Sequence, residues 1–484
     1  MARPFRWILA LALLTGVVPH LVAAQAERPA VRRARELVGL INAGTPAGIR
    51  SYVDSAFGGQ FRTFPIGAHL NFLLGQRTQS QALDWVGPTD TAGDAATVVL
   101  TRRLTGDRFG LFVRVEPAAP HRVVSLGARP APPGSQPAAR VASDADLAAQ
   151  LERYVGRLAG ADAFSGAVLL AKNGKVIYSK AYGIANKDFE VPNRLDTRFN
   201  LGSMNKMFTA VAIAQLAEKG KLSFDDPLAR FLPDFPNPEA AKKVRIKHLL
   251  SHTAGLGSYF NDEFMKSSRE LYRTVDDMMK LAKGDSLAFE PGSRWSYSNT
   301  GILVLGKVIE VASGQDYFSY VRDHIYKPAG MTRSDSYDLD YVNTNLAVGY
   351  DREYQDDGTV RFKNNVFQHV IRGGPAGGGY STVEDLQRFG EALMAGKLAG
   401  KASVDQLISA KPELRSPSYG YGFSVDPNGI VGHSGGFPGI SSNLDIFTRS
   451  GYLAVVQSNY GGASAPVSQK IRALVEARVG KPVP

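Results

Sequence analysis

The sequence predicts an α/β chain of the α+β kind, in which an antiparallel sheet formed by both ends of one long domain is flanked by helices and carries a helical insert. A small α+β domain precedes it. Three observations lead to this fold: Asn173-Gly174 separates two strand-like runs, four more strand-like runs cluster near the far terminus, and strongly apolar helical stretches lie between.

The first expected element is an export signal over residues 1–24. Arg3 and Arg6 precede an apolar run from Trp7 to Val18, and small residues at Val22 and Ala24 suit signal peptidase. The run is too short to span a bilayer stably, so cleavage near Ala24 would deliver the chain to the periplasm or the medium, with an uncleaved anchor as the alternative. At 484 residues and 44% hydrophobic composition, the chain can bury a sizeable core in two or three domains. It has no cysteine, which excludes disulfides, thiol catalysis and thiolate metal sites. The net charge of +11 comes from lysines and arginines scattered singly among acids, without the dense stripe that nucleic acid requires. No nucleic-acid partner is expected, whereas loose association with an anionic cell envelope suits an exported basic chain.

Residues 27–126 read as a small α+β domain: Arg32 to Ile41 and Ala47 to Phe57 have helical spacing, and Ala95 to Arg102 and Phe109 to Val115 alternate like paired strands. Residues 127–143, rich in proline, alanine and glycine, form a linker. The long domain is expected over 144–484. Gly166 to Ala171 and Lys175 to Tyr182 flank Asn173-Gly174, whose positive dihedrals suit a tight hairpin. Met207 to Ala217 is a helix apolar nearly all round, closed at Gly220, and such a helix lies inside a domain. A second helix runs from Gly301 to Val311, with Asn299 in position to cap it. Ser381 with Glu384 makes a capping box for another. The late strands are Tyr421 to Val425, Ile430 to Ser434, Ser442 to Phe447 and Tyr452 to Ser458, with Gly435-Gly436 as one of the breaks. Val467, Ile471, Leu474 and Val475 then mark one face of a terminal helix. No internal repeat is evident.

Within this frame, Ser203 stands one helical turn before Lys206 at the mouth of the apolar helix. Residues three apart share a helix face, so hydroxyl and amine can come within hydrogen-bond reach. A lysine beside Met207, Phe208 and Val211 loses hydration, which favours a neutral amine able to accept the serine proton. S-x-x-K alone turns up by chance roughly once or twice in a chain of this length. A lone lysine on a buried helix, however, calls for a reason that a solvated face does not supply.

Three separated motifs resemble those of the penicillin-recognising serine hydrolases, in the branch of class C beta-lactamases, D-alanyl-D-alanine carboxypeptidases and family VIII esterases. They are Ser203 to Lys206, Tyr297-Ser298-Asn299 and His433-Ser434-Gly435, the last at the place of the family's K-T-G or H-x-G. The runs Leu249 to Leu256 and Gly377 to Thr382 also look typical of it. The resemblance spans about residues 150 to 480 and implies a beta-lactamase-like fold for the long domain. It implies that Ser203 attacks a carbonyl with Lys206 and Tyr297 sharing the proton work, Tyr297 held partly as phenolate, and leaves open which of the two is the base. It places the oxyanion hole at the backbone amides of Ser203 and Gly436. Asn299, Ser434, Gly435 and His433 become substrate-binding residues; the Asn299 amide can grip a substrate amide and the lysine at once, and serves equally as a helix cap. The small domain faintly resembles cystatin-like domains, on Glu116 to Val123 alone.

His433 departs from the lysine of the penicillin-specific members. A lysine would hold the carboxylate of a penicillin-like substrate with a permanent charge, whereas histidine is mostly neutral near pH 7. The reading that follows is an exported serine hydrolase acting on esters or small D-peptide amides through an acyl-serine intermediate. A class C-like beta-lactamase or a penicillin-binding carboxypeptidase is the enzymatic alternative, and a non-catalytic ligand-binding or sensor module the alternative of another class. Its partner is a small-molecule ester, lactam or peptide substrate, and its chemistry needs no cofactor and no metal. His248 and His252 stand four apart on an expected helix, yet no glutamate lies between them and no third ligand is evident, so both are read as structural. The glycines from Gly373 to Gly379 lack the spacing of a phosphate cradle and are expected to let backbone pass close to the cleft.

Overall fold

The computed structural model describes residues 27–480 except 133, 136–139 and 285. The expected export signal lies outside the described residues, as does part of the expected linker. Among the described residues, no helix is long and apolar enough to cross a membrane.

The first unit packs helices α1 (Pro29–Ala43), α2 (Pro46–Ala56) and α3 (Ile66–Ser80) on a four-stranded meander, β1 (Leu83–Asp90), β2 (Ala95–Arg102), β3 (Arg108–Val115) and β4 (Val123–Pro130). Leu37 and Ile41 of α1 pack with Val98 and Leu111 of the sheet, one apolar face against another. The sequence missed α3, β1 and β4. The apolar residues of α3 do not gather into a stripe, and β1 contains Gly87 and Pro88 at register shifts. Because β4 runs to Pro130, residues 127 to 130, expected in the linker, belong to the sheet.

The second unit begins with α4 (Asp144–Gly160), β5 (Gly166–Lys172) and β6 (Lys175–Tyr182). Asn173 and Gly174 take φ of 47° and 80°, the two positive values of a type I′ hairpin. The chain then leaves the sheet for α5 (Asn205–Glu218), α6 (Ile246–Leu250), α7 (Asn299–Ser313), the ribbon of β7 (Tyr350–Tyr354) and β8 (Val360–Asn364), and α8 (Val383–Met394). It returns through β9 (Ser424–Val425), β10 (Ile430–Phe437), β11 (Ile440–Phe447) and β12 (Tyr452–Ser458), and ends in α9 (Ser464–Val479). The sheet order is β9-β10-β11-β12-β5-β6, antiparallel throughout, so both ends of the unit build it as expected.

Alternation along β5 divides the core. Leu169 and Ala171 face the side of α5, α7 and α8, while Val168 and Leu170 face α4 and α9. The sheet is therefore covered on both faces, and residues 206–214 of α5 are buried all round. The first unit meets the second where Thr78 Oγ1 lies 3.3 Å from the Tyr354 hydroxyl and Lys470 Nζ lies 3.1 Å from Asp107.

Two local expectations are corrected. The cap of α8 is Thr382, which accepts from the Asp385 amide at 3.2 Å, rather than Ser381 with Glu384; Ser381 instead bonds Ser334 in the interior. Gly435-Gly436 does not break a strand, because β10 continues through it to Phe437. The glycine is needed for approach: a Cβ on Gly435 would stand 1.9 Å from the Leu201 carbonyl and 2.6 Å from Ser442 Oγ. That contact seats the sheet against the turn carrying Ser203.

Gly435→Ala is expected to destabilise the second unit by about 1–3 kcal/mol through overpacking, read as a lower midpoint in urea unfolding. A methyl at Gly436 meets nothing within 4 Å, so Gly436→Ala should leave that midpoint unchanged.

Candidate active site

Ser203 lies in a 3-10 turn, Gly202–Met204, that runs directly into α5. Gly202 has φ of 50°, and a Cβ there would be 2.9 Å from the Gly436 amide nitrogen, so only glycine lets the turn meet β10 so closely. The turn presents Ser203 to a cleft while Lys206, one turn on, points into the interior.

Lys206 is fully buried. Its Nζ lies 3.0 Å from Ser203 Oγ, 2.9 Å from Asn299 Oδ1 and 2.5 Å from the Ala376 carbonyl. None of these partners is a carboxylate, and burial alone holds the amine well below the usual lysine range. A neutral amine has two N–H groups and one lone pair. Asn299 Oδ1 and the Ala376 carbonyl only accept and take the two N–H groups, leaving the lone pair to receive the Ser203 proton.

Tyr297 reaches the same point from a loop nearly a hundred residues further along the chain, its ring centre 4.9 Å from Lys206 Nζ. Burial pushes its pKa up to about 12, and the Ser203 hydroxyl opposes that only in part. Near pH 7 it is a phenol, not the partial phenolate of the sequence expectation, because Lys206 offers no lasting positive charge beside it.

Asn299 is the first residue of α7 rather than its cap. Ser298 caps the helix, accepting from Gly301 at 2.8 Å, which frees the Asn299 side chain to accept from Lys206 and to donate to Ser258 Oγ at 3.2 Å. The carbonyl of Ala376, in the glycine run, was not foreseen as a partner. The run's close passage was: a Cβ on Gly377 would be 2.8 Å from the Gly202 carbonyl.

The third motif lies on β10, against the turn that carries Ser203. Strand alternation turns His433 to the buried side of β10, where its Nδ1 meets the Ser434 carbonyl at 2.5 Å and its Nε2 the Tyr419 hydroxyl at 2.9 Å. Burial, and after it Lys206, pushes its pKa down to about 3. The ring therefore carries no charge at neutral pH and does not line the cleft. Ser434 is exposed and Gly435 is packed on Leu201, so neither lines it; Gly436 and Phe437 do.

The cleft beside Ser203 has a volume of about 170 Å³. Its walls include Tyr259, Phe260, Phe264, Val370, Phe437 and Ile440, and among the described residues no lysine, arginine, aspartate or glutamate lines it. Phe260 and Phe437 stack across it with ring centres 5.5 Å apart and planes 30° apart. A larger hollow of about 340 Å³ lies elsewhere, between the β10 edge and α9 near Arg472, and has none of these reactive groups.

His248 and His252 do not share a helix. His248 closes the first turn of α6, its Nδ1 accepting from the Arg245 amide, while His252 lies beyond the helix with φ of 60°. Among the described residues, no group of three or more His, Asp or Glu is placed to hold a metal ion.

Comparisons with known proteins bear on the family and the fold. Residues 151–478 match the family model described as Beta-lactamase. A putative penicillin-binding protein, PbpX of Bacillus subtilis (strain 168), is 32% identical over 293 residues, which is 60% of this chain and 70% of that protein. Esterase EstB of Burkholderia gladioli is 29% identical over 395 residues, 70% of this chain and 95% of the esterase. The crystal structure of a penicillin-binding protein from Bacillus halodurans superposes with a TM-score of 0.58 at 32% identity, covering 64% of this chain and 97% of that one.

A lysine that is neutral in the fold and charged when unfolded binds fewer protons in the native state, so the protein gains stability as pH rises toward 10.5. Lys206→Met removes this term. The stability of the wild type relative to Lys206→Met should rise between pH 7 and pH 10 by up to about 1.4 kcal/mol per pH unit, measured by urea unfolding. A difference that does not change with pH would show the native lysine to be charged.

Proposed function

The chain belongs to the beta-lactamase family and is a serine hydrolase, and from that premise we propose that it is an exported enzyme that cleaves uncharged esters and small amides through an acyl-Ser203 intermediate. The observation that carries this reading is the Lys206 amine, buried without a carboxylate and 3.0 Å from the Ser203 hydroxyl. Lys206 is the base: its lone pair takes the Ser203 proton as Oγ bonds to the substrate carbonyl carbon. Negative charge on the carbonyl oxygen is met by the amides of Ser203 and Gly436. As the bond to the leaving group breaks, the Tyr297 phenol passes a proton to the departing alcohol or amine and is reprotonated from Lys206. Water then attacks the acyl carbon, gives its proton to Lys206, and Ser203 leaves with that proton.

The charge-free cleft narrows the substrate. Penicillins and D-alanyl-D-alanine peptides bring a carboxylate, and burying one without a cation is costly. An ester or a terminal amide brings none, and aromatic walls suit an apolar acyl group. The likeness to an esterase over 95% of that esterase's length supports the same choice. Release to the periplasm or medium rests on the leader at residues 1–24, and loose association with an anionic envelope on the net charge of +11.

Ser203→Ala is expected to abolish labelling by a fluorophosphonate probe and to lower turnover of a nitrophenyl ester by at least about a thousandfold. Retained labelling would place the nucleophile elsewhere. Compared side by side, a short-chain nitrophenyl ester should give a higher kcat/KM than either a chromogenic cephalosporin or a D-alanyl-D-alanine peptide. An equal or higher value for either carboxylate-bearing substrate would overturn the substrate assignment.

A further inference from the structure

We propose that His252 is a positioning residue that sets Tyr297 for proton transfer. The proposal rests on the reading of Tyr297 as part of the acyl-transfer machinery. His252 holds the loop on both sides of that tyrosine: its carbonyl accepts the Ser296 amide at 2.8 Å, and its Nδ1 accepts the Ser298 amide at 3.2 Å. The ring lies against Tyr297 with centres 4.4 Å apart, and against Tyr419 at 4.7 Å on another side. One residue thus fixes the backbone before and after Tyr297 and supports its ring.

Two features of His252 oppose folding. Its backbone is left-handed, with φ of 60°, a conformation uncommon outside glycine although histidine enters it more often than most side chains. Because Nδ1 accepts, the proton sits on Nε2, and that nitrogen is buried without a hydrogen-bond partner among the described residues. Strain and an unpaired donor at one buried residue, in contact with a reactive group, are characteristic of a functional constraint. A residue selected only to fill space there would carry neither cost.

Asparagine separates this role from simple packing. It tolerates a left-handed backbone, and its Oδ1 falls near the place of Nδ1, so it can still accept from Ser298. Active sites are counted by fluorophosphonate titration, and kcat for a nitrophenyl ester is taken per titrated site. His252→Ala should lower that kcat about a hundredfold with KM within about threefold, and His252→Asn should recover at least about tenfold of the loss. In a Tyr297→Phe background, His252→Ala should cost less than about threefold more, because the two residues act as one unit. Unchanged kcat per site in His252→Ala, no recovery in His252→Asn, or losses that multiply in the double variant would each overturn the proposal. Tyr297→Phe at full wild-type kcat would instead remove the acyl-transfer role of Tyr297 on which the proposal stands.

Discussion

The burial of a single amine organises this molecule. Lys206 is closed off from bulk solvent and no carboxylate balances it, so the fold stabilises the uncharged form and keeps it 3.0 Å from the nucleophile. Everything nearby follows from that choice. Asn299 and Ala376 must supply acceptors and no charge, and their chain segments must be brought to the lysine from regions distant in sequence. α5 must be apolar all round, since a polar face would admit the solvent that recharges the amine. The hydrolase pays for a permanently available base with desolvation instead of a neighbouring acid.

The positions that allow this are glycines as much as reactive side chains. At Gly202, Gly377 and Gly435, backbones pass at distances a methyl would obstruct. Together they let the serine turn, the glycine run and β10 meet at one place, with Ser203 and Gly436 both lining the same cleft. Sheet and helical layers therefore contribute to the site through main chain, and the rigidity of the antiparallel sheet fixes the geometry.

Local patterns made much of this legible in the sequence. The hairpin at Asn173-Gly174, the apolar run after Lys206 and the strands before α9 each express one periodicity, and the structure has all three. Ser203, Lys206 and Tyr297, read as a group, are brought together in space. What sequence periodicity could not reveal were the effects of tertiary contact. Nothing in α3 announces a stripe, because His69, Gln76 and Ser80 share its buried face with Leu70, Leu73 and Leu74. The strand through Gly435-Gly436 looks like a break until the Leu201 carbonyl is placed against it. His252 follows His248 at helical spacing, yet the chain leaves the helix at Ser251, and only the fold carries the ring beneath Tyr297. His433 reads as a ligand for substrate because the motif sits beside the cleft; the parity of β10 puts its ring on the side of Lys206, where it is buried against Tyr419.

The stacked rings of Phe260 and Phe437 belong to separate layers, one to the helical insert and one to the end of a sheet strand. Phe260 stands on an exposed loop position, 38% accessible, whereas Phe437 is held by the pairing of its strand. Widening the doorway between them therefore asks for the swing of one ring and leaves the sheet where it is.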